Sequence, residues 1–198
     1  MELNGVAALV TGAASGLGAA TAAAMAVRGA TVFGIDLPQA VAQAPSSDHV
    51  TLLGADVTSA DDVAAALVTV AETGVPLRAV VNCAGIGPSS RILSRRGPHD
   101  LDLFAKILEV DLLGKFNVLR LAAEVMAASE PADEHNQRGV IINTASVAAF
   151  EGQIGQVAYA ASKGGVHAIT ATDPAAGERR ASLPSENCCK CPPGWSGK

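Results

Sequence analysis

The chain is poor in aromatic residues, in cysteine and in positive charge. Its 198 residues include four phenylalanines, one tyrosine and one tryptophan, and the formal net charge at pH 7 is −5. An acidic chain is a poor ligand for nucleic acid, so we expect no nucleic-acid partner. Nothing in the placement of the four cysteines suggests a disulfide framework, which favours a reducing compartment.

Long hydrophobic runs are absent too. Hydrophobic residues make up 49% of the chain, but glycine and polar residues interrupt them before any run reaches the length of a membrane span. The first five residues lead directly into an apolar run, so we expect no signal or transit peptide. A chain of this length is sufficient for one core. These features predict a cytoplasmic protein that does not enter a membrane.

The residues that commonly bind metals do not form a site. Cys188, Cys189 and Cys191 lie close together, but no second pair of cysteines or histidines accompanies them, as a structural zinc site requires. The four histidines are scattered, and we interpret each as a surface or packing residue: His49, His99, His135 and His167. We therefore expect no metal.

An apolar run followed by glycines opens the chain. Residues 6–10 suit a buried parallel strand, and residues 19–27 are rich in alanine and favour a helix. Between them, Thr11-Gly-Ala-Ala-Ser-Gly-Leu-Gly18 supplies glycines for a tight turn and for close approach of a phosphate to a helix start. The sequence therefore predicts a loop that binds the pyrophosphate of a dinucleotide.

Asp36 ends the next apolar run, residues 31–35. A carboxylate at this place accepts hydrogen bonds from the adenosine ribose hydroxyls and repels a 2′-phosphate. Alanines in the glycine loop and a leucine after Asp36 leave no cation nearby to bind that phosphate. The pattern favours NAD over NADP. The alternative is that Asp36 only caps a turn before Pro38.

A polar set follows the last apolar run, residues 139–145. Tyr159 and Lys163 are four residues apart and share one face of a predicted helix. An ammonium beside a phenol stabilises the phenolate and makes proton exchange near neutral pH easier. Ser146 can donate a hydrogen bond to a substrate carbonyl. The set predicts a general acid/base site, and the alternative is a buried tyrosine on an ordinary amphipathic helix.

Together these motifs resemble the short-chain dehydrogenase/reductase family, and within it the branch of the 3-hydroxyacyl-CoA dehydrogenases of type 2. Residues 139–156 are especially similar to that branch, and Asn82-Cys-Ala-Gly85 is similar to the family's Asn-Asn-Ala-Gly. The resemblance implies catalysis by Ser146, Tyr159 and Lys163, with the first two contacting substrate. It also implies cofactor contacts from the following residues: Gly12, Ser15, Gly16, Leu17, Gly18, Asp36, Asp56, Val57, Asn82, Cys83, Ala84, Gly85, Tyr159 and Lys163.

The resemblance further implies an activity. It suggests an NAD-dependent oxidoreductase that interconverts a secondary alcohol and a ketone. The preferred pair is 3-hydroxyacyl-CoA and 3-ketoacyl-CoA, in fatty acid metabolism, and the alternatives are a hydroxysteroid or another small secondary alcohol. Members of the family commonly form dimers or tetramers, so a homo-oligomer is expected.

The alternation of patterns predicts the fold. We predict strands at 6–10, 31–35, 50–54, 77–82 and 139–145, and helices at 16–29, 59–73, 100–128 (in two pieces) and 157–170. Such alternation indicates a Rossmann-type doubly wound parallel α/β sheet. The resemblance implies the strand order 3-2-1-4-5, with the last strand at an uncovered edge. An apolar stripe predicts core packing, with a subunit interface as the alternative: Leu108, Leu112, Phe116, Leu119 and Ala123.

Two features depart from the family. Asp111 stands where the family usually has an asparagine that is thought to hold a water in a proton relay. A carboxylate there would compete with the tyrosinate for the charge of Lys163.

After residue 170 the sequence becomes rich in proline, serine and cysteine, and Pro174 would end the helix. We therefore predict an NAD-binding domain over 1–170 that is C-terminally incomplete, followed by an atypical, disordered tail over 171–198. The alternative function is a truncated, catalytically impaired nucleotide-binding fragment.

Overall fold

A computed structural model describes residues 2–172 and contains a five-stranded parallel sheet. Its strands span Ala7–Thr11 (β1), Thr31–Asp36 (β2), Val50–Gly54 (β3), Leu77–Asn82 (β4) and Val140–Asn143 (β7). They lie side by side in the order β3-β2-β1-β4-β7. The predicted fold class, strand order and strand positions are confirmed, and β7 lies at an edge of the sheet in the described part of the chain.

Helices cover both faces of this sheet. They span Gly16–Val27 (α1), Pro38–Val41 (α2), Ala60–Glu72 (α3), Leu101–Leu108 (α4), Lys115–Ala127 (α5) and Val157–Thr172 (α6). Polar side chains cap the N-termini of two of these helices. The Ser59 hydroxyl accepts a hydrogen bond from the Asp62 N–H at 3.2 Å before α3, and Asp100 accepts one from the Asp102 N–H at 2.9 Å before α4.

Alternate residues of β1 face opposite sides of the sheet, and each side carries an apolar cluster. Leu9 packs with the helices α3 and α5, in a cluster that includes Val63, Val118 and Met126. Val10 belongs to the other cluster, which α1 covers. All five residues of β1 are buried, which explains why this strand is a continuous apolar run in the sequence.

The predicted apolar stripe is only partly buried, because the helical region contains a π-helical turn, Glu109–Gly114. Such a turn adds a residue to the helix and rotates the face that follows it. Leu119 is buried as predicted, but Phe116 is 46% exposed, so it does not pack in the core of the single chain and the alternative of a subunit interface stays open for it. The residues of α4 and α5 that reach the core are Ile107, Val118, Leu119, Ala122 and Met126.

Two short strands were not predicted. They span Leu93–Ser94 (β5) and Gly97–Pro98 (β6), pair antiparallel, and are too short to show an alternating pattern. The loop before them is joined to the start of α6, since the Ser90 N–H donates to the Gly155 carbonyl at 2.7 Å.

Two further predictions concern membrane spans and the C-terminal segment. Between residues 2 and 172, no helix is both long and apolar enough to cross a membrane. The predicted break at Pro174, the tail and its three cysteines lie outside the described residues.

Candidate active site

A cleft of about 570 Å³ opens at the carboxyl ends of β4 and β7. This is the edge at which parallel α/β sheets bind ligands. Ser146, Tyr159 and Lys163 all line it, together with Leu17 from the start of α1 and Cys83 from the loop after β4. The structure therefore brings the predicted catalytic set next to parts of both predicted cofactor loops.

Lys163 lies beside the tyrosine, as the spacing predicts. Its Nζ is 5.3 Å from the centroid of the Tyr159 ring and donates a hydrogen bond to the Thr144 carbonyl at 3.0 Å. The lysine is only 4% exposed. Burial lowers its pKa, and the charges of Asp111 and Cys83 act in the opposite direction. A cation with little solvent around it acts more strongly on a neighbouring phenol than one in water would.

Ser146 follows β7 and begins a single 3₁₀ turn, Val147–Ala149. Its Oγ accepts a hydrogen bond from the Ala148 N–H at 3.2 Å. That bond fixes the oxygen and leaves the hydroxyl proton available for donation to a substrate oxygen.

The glycine loop adopts the conformations that only glycine takes without strain. Gly12 has φ +68° and Gly16 has φ +53°. A Cβ on Gly12 would lie 2.9 Å from the backbone of Ala84, so the two predicted cofactor loops are in direct contact there. Ser15 precedes α1 in an extended conformation and makes no capping hydrogen bond with its side chain. The N–H groups at the start of α1 thus have the arrangement that binds an anion.

Asp36 lies at the end of β2 and faces this loop. One carboxylate oxygen accepts a hydrogen bond from the Ala14 N–H at 2.9 Å, and the other accepts one from the Leu37 N–H at 2.8 Å. The carboxylate therefore stabilises the local turn, as the alternative interpretation holds. It is also fixed at the glycine loop and stays partly exposed, as a ribose contact requires.

The loop after β3 carries two more predicted cofactor contacts. Asp56 accepts hydrogen bonds from the N–H and the hydroxyl of Thr58, at 2.9 and 2.8 Å. Val57 is 7% exposed, and its side chain lies against Gly114, where an added Cβ would meet it at 2.7 Å. The side chain of Val57 therefore belongs to the packing between this loop and α5.

Only some residues of the segment at the end of β4 line the cleft. Cys83 and Gly85 line the cleft, and Cys83 is half-buried. Asn82 is fully buried and its side-chain N–H donates to Asn143 Oδ1 at 2.9 Å, which ties β4 to β7. The Ala84 N–H donates to the Thr11 hydroxyl at 3.0 Å. Asn82 and Ala84 thus hold the loop in place.

Asp111 lies on the π-helical turn and is fully buried. One of its carboxylate oxygens accepts a hydrogen bond from the Ile86 N–H at 2.7 Å, and the other accepts one from the Ser162 hydroxyl at 3.3 Å. The second oxygen is 4.0 Å from Lys163 Nζ. The carboxylate does approach Lys163, as the sequence suggested.

Sequence reasoning missed a second buried lysine. Lys115 is 1% exposed, and its Nζ donates to the carbonyls of Asn82 at 3.0 Å and Ala84 at 2.6 Å and to the Thr144 hydroxyl at 3.3 Å. Burial lowers its pKa to about 8, assisted by the charge of Lys163 and opposed by those of Asp111 and Cys83. The available signal was the spacing of Asp111 and Lys115, four residues apart in an otherwise apolar helical segment.

Comparison with known proteins agrees with this geometry. Residues 6–176 match the short chain dehydrogenase family. The 3-hydroxyacyl-CoA dehydrogenases type-2 of Bos taurus and Homo sapiens are 47% and 46% identical to the chain over 174 residues. Each alignment covers 85% of this chain and 66% of the relative, so the chain spans slightly less than two thirds of the length of these relatives.

A solved structure gives the same result. The crystal structure of 3-hydroxyacyl-CoA dehydrogenase type-2 from Mycobacterium avium is 38% identical in sequence and superposes with a TM-score of 0.74. That match covers 83% of this chain and 66% of the other. The resemblance inferred from the motifs is confirmed: the chain belongs to the short-chain dehydrogenase family.

Proposed function

We propose that the protein is an NAD-dependent dehydrogenase that interconverts a secondary alcohol and a ketone, with 3-hydroxyacyl-CoA and 3-ketoacyl-CoA as the substrate pair. The observation that carries this proposal is the buried Lys163 ammonium beside Tyr159 in a cleft that Ser146 also lines. The choice of substrate pair rests on the relatives in Bos taurus and Homo sapiens, both of which are named 3-hydroxyacyl-CoA dehydrogenase type-2.

The residues present fit a dinucleotide. The start of α1 suits the pyrophosphate, because nothing lies within 4 Å of an added Cβ on Gly16 and the first N–H groups carry no side-chain cap. Gly18 is buried and instead lets α1 pack against the Gly12 carbonyl, which a Cβ there would meet. Asp36 suits the adenosine ribose, and the loop of Asp56 lies next to it along the sheet edge, since β3 pairs with β2. When bound, the nicotinamide supplies the hydride acceptor or donor.

Three side chains divide the remaining chemistry. Tyr159 exchanges the proton of the substrate hydroxyl at its phenolic oxygen. Lys163 stabilises the phenolate and binds the nicotinamide ribose. Ser146 donates a hydrogen bond to the substrate oxygen and polarises the carbonyl.

We also propose that the protein forms a homo-oligomer and acts in the cytoplasm. Large apolar side chains stay exposed along the helical region that the family commonly uses for dimers, since Leu113 is 58% and Phe116 46% exposed.

The proposed activity is tested by following NADH formation from 3-hydroxybutyryl-CoA. We expect NADH to form with NAD and the CoA ester together and not with either alone. A panel that adds a hydroxysteroid and a simple secondary alcohol separates the proposed substrate class from the alternatives. Faster turnover of the steroid or the simple alcohol would contradict the acyl-CoA assignment, and no turnover of any of them would contradict the dehydrogenase function.

Asp36→Ala should reduce the preference for NAD. In the parent chain we expect NAD to raise the melting temperature and NADP to have a smaller effect, because the carboxylate repels a 2′-phosphate. Thermal shift with each nucleotide measures the preference. Asp48→Ala is the matched control, because Asp48 is exposed and the same charge is removed away from the glycine loop. Equal stabilisation of the parent chain by both nucleotides would refute the role of Asp36.

A further inference from the structure

The cleft is supported by a buried cluster of three charges. Lys163, Asp111 and Lys115 are 4%, 0% and 1% exposed, respectively. They come from three elements: Lys163 from α6, Asp111 from the π-helical turn and Lys115 from the start of α5. Buried charges are rare unless they are paired, so a group of three at the carboxyl edge of the sheet calls for a physical account.

The net charge of the cluster explains why a second buried lysine is present. Lys163 and Asp111 alone, with Nζ and Oδ2 4.0 Å apart, would form a neutral pair. A neutral pair would do little to stabilise a phenolate at Tyr159, because the buried carboxylate opposes the ammonium. The second ammonium, on Lys115, brings the cluster to a net charge of +1.

Lys115 acts on the carboxylate through its charge and without reaching the cleft: among the described residues the ion pair of Asp111 is with Lys163, and Lys115 interacts with Asp111 at longer range. It lies four residues after Asp111, and it does not line the cleft as Lys163 does. Its Nζ is held by the Asn82 and Ala84 carbonyls and the Thr144 hydroxyl. Lys163 donates to the carbonyl of the same Thr144, so both ammonium groups converge on the end of β7.

We propose that Lys115 is a positioning residue that neutralises Asp111 and so leaves the charge of Lys163 available to Tyr159. Asp111 and Lys115 then act as a compensating pair, which explains how the active site accommodates a carboxylate where the family usually has asparagine. With its pKa of about 8, Lys115 is mostly an ammonium at neutral pH, as this role requires. The catalytic consequence rests on the proposed dehydrogenase function, whereas the charge balance does not.

The composition of the chain provides a direct readout. Tyr159 is the single tyrosine, so the near-ultraviolet absorbance of tyrosinate reports the ionisation of this residue alone. Besides the three clustered charges, the titratable groups that line the cleft are Cys83 and Glu151, and both are unchanged in all variants below. Far-ultraviolet circular dichroism at each pH confirms that the chain stays folded.

The variants are compared at about pH 7.5, where Lys115, with its pKa of about 8, is still mostly protonated. Lys115→Met should lower the ratio of tyrosinate to phenol at this pH by about tenfold, because the net charge of the cluster falls to zero. Asp111→Asn should raise the ratio by a similar factor. The double variant should return it close to the parent value, because both charges are removed. Lys106→Met is the control, since Lys106 is exposed and pairs with Glu109 on the surface; it should leave the ratio unchanged.

The variants separate charge compensation from mere support of the strands. If Lys115 only holds the carbonyls of the β4 loop, adding Asp111→Asn will not offset the effect of Lys115→Met, and the proposal is overturned. If Lys115→Met does not fold, Asp111→Asn alone decides, and an unchanged ratio of tyrosinate to phenol at about pH 7.5 overturns the proposal. The titration uses neither nucleotide nor substrate, so its outcome is independent of the assay for NADH formation.

Discussion

Replacing Tyr159 by phenylalanine should reduce the rate of NADH formation from 3-hydroxybutyryl-CoA by about 10²–10⁴-fold, the range that a positioned acid/base contributes. The substitution deletes only the phenolic oxygen and keeps the ring that lies beside Lys163 and Gly87. The loss should appear in kcat, because the proton moves in the transition state, and binding of NADH measured by its fluorescence should stay nearly unchanged.

The matched control removes a hydroxyl far from the cleft. Thr69 lies on α3, where its hydroxyl donates to the Ala65 carbonyl at 3.2 Å on an exposed face. Thr69→Val should leave the rate within about twofold, as expected for an exposed residue outside the site. A Tyr159→Phe variant that retains the parent rate would show that another group moves the proton, and the acid/base role would then be lost.

The parallel sheet could be predicted because its three central strands, β2, β1 and β4, are buried on both faces. The residues of β1 are mainly apolar, and the glycines that follow permit a tight turn before a helix. The strand order came from the family resemblance, and the observed order agrees. The local pattern of apolar residues was sufficient to predict a strand where helices pack on both of its faces.

The π-helical turn could not be predicted in the same way. A helix with one inserted residue has nearly the same local preferences as a regular one, so the sequence of Glu109–Gly114 gives no signal of its own. The turn is specified by tertiary contacts, among them the bond from the Ile86 N–H to Asp111. Its effect on the following helix is why Phe116 is exposed and Val118 is buried.

Lys115 was missed for a related reason. A lysine on a helix usually lies in solvent, and the spacing of Asp111 and Lys115 is only a weak signal of burial. Its burial depends on acceptors that come from 29 to 33 residues away in the sequence, at the ends of β4 and β7. Such a convergence is visible only when the strands are placed side by side.

The proximity of Tyr159 and Lys163, by contrast, could be predicted because its geometry is local. The two residues are one helical turn apart, so their proximity follows from α6 alone. For Asp36 the turn interpretation is confirmed, and the contact with a ribose stays a prediction. Asp36 stabilises its own turn through the Leu37 N–H and joins the glycine loop through the Ala14 N–H, and these contacts use different carboxylate oxygens.

Gly12→Ala should lower the free energy of unfolding by about 2–4 kcal/mol and weaken NAD binding. Two costs combine at this position. The backbone has φ +68°, which disfavours any residue with a Cβ, and the new methyl group would lie 2.9 Å from the Ala84 backbone. Backbone cannot move aside as a flexible side chain can, so the loop of Ala84 and the glycine loop would have to separate. Urea unfolding followed by circular dichroism gives the stability, and thermal shift with NAD gives the binding.

Gly74→Ala isolates the conformational cost. Gly74 has a nearly identical φ of +70°, but nothing lies within 4 Å of an added Cβ. This variant should lose only about 1–2 kcal/mol and bind NAD like the parent chain. The difference between the two variants therefore measures the contact between the glycine loop and the loop of Ala84. Equal losses of free energy of unfolding in both variants would mean that this contact is loose. The interpretation that the two predicted cofactor loops pack closely at Gly12 would then be wrong.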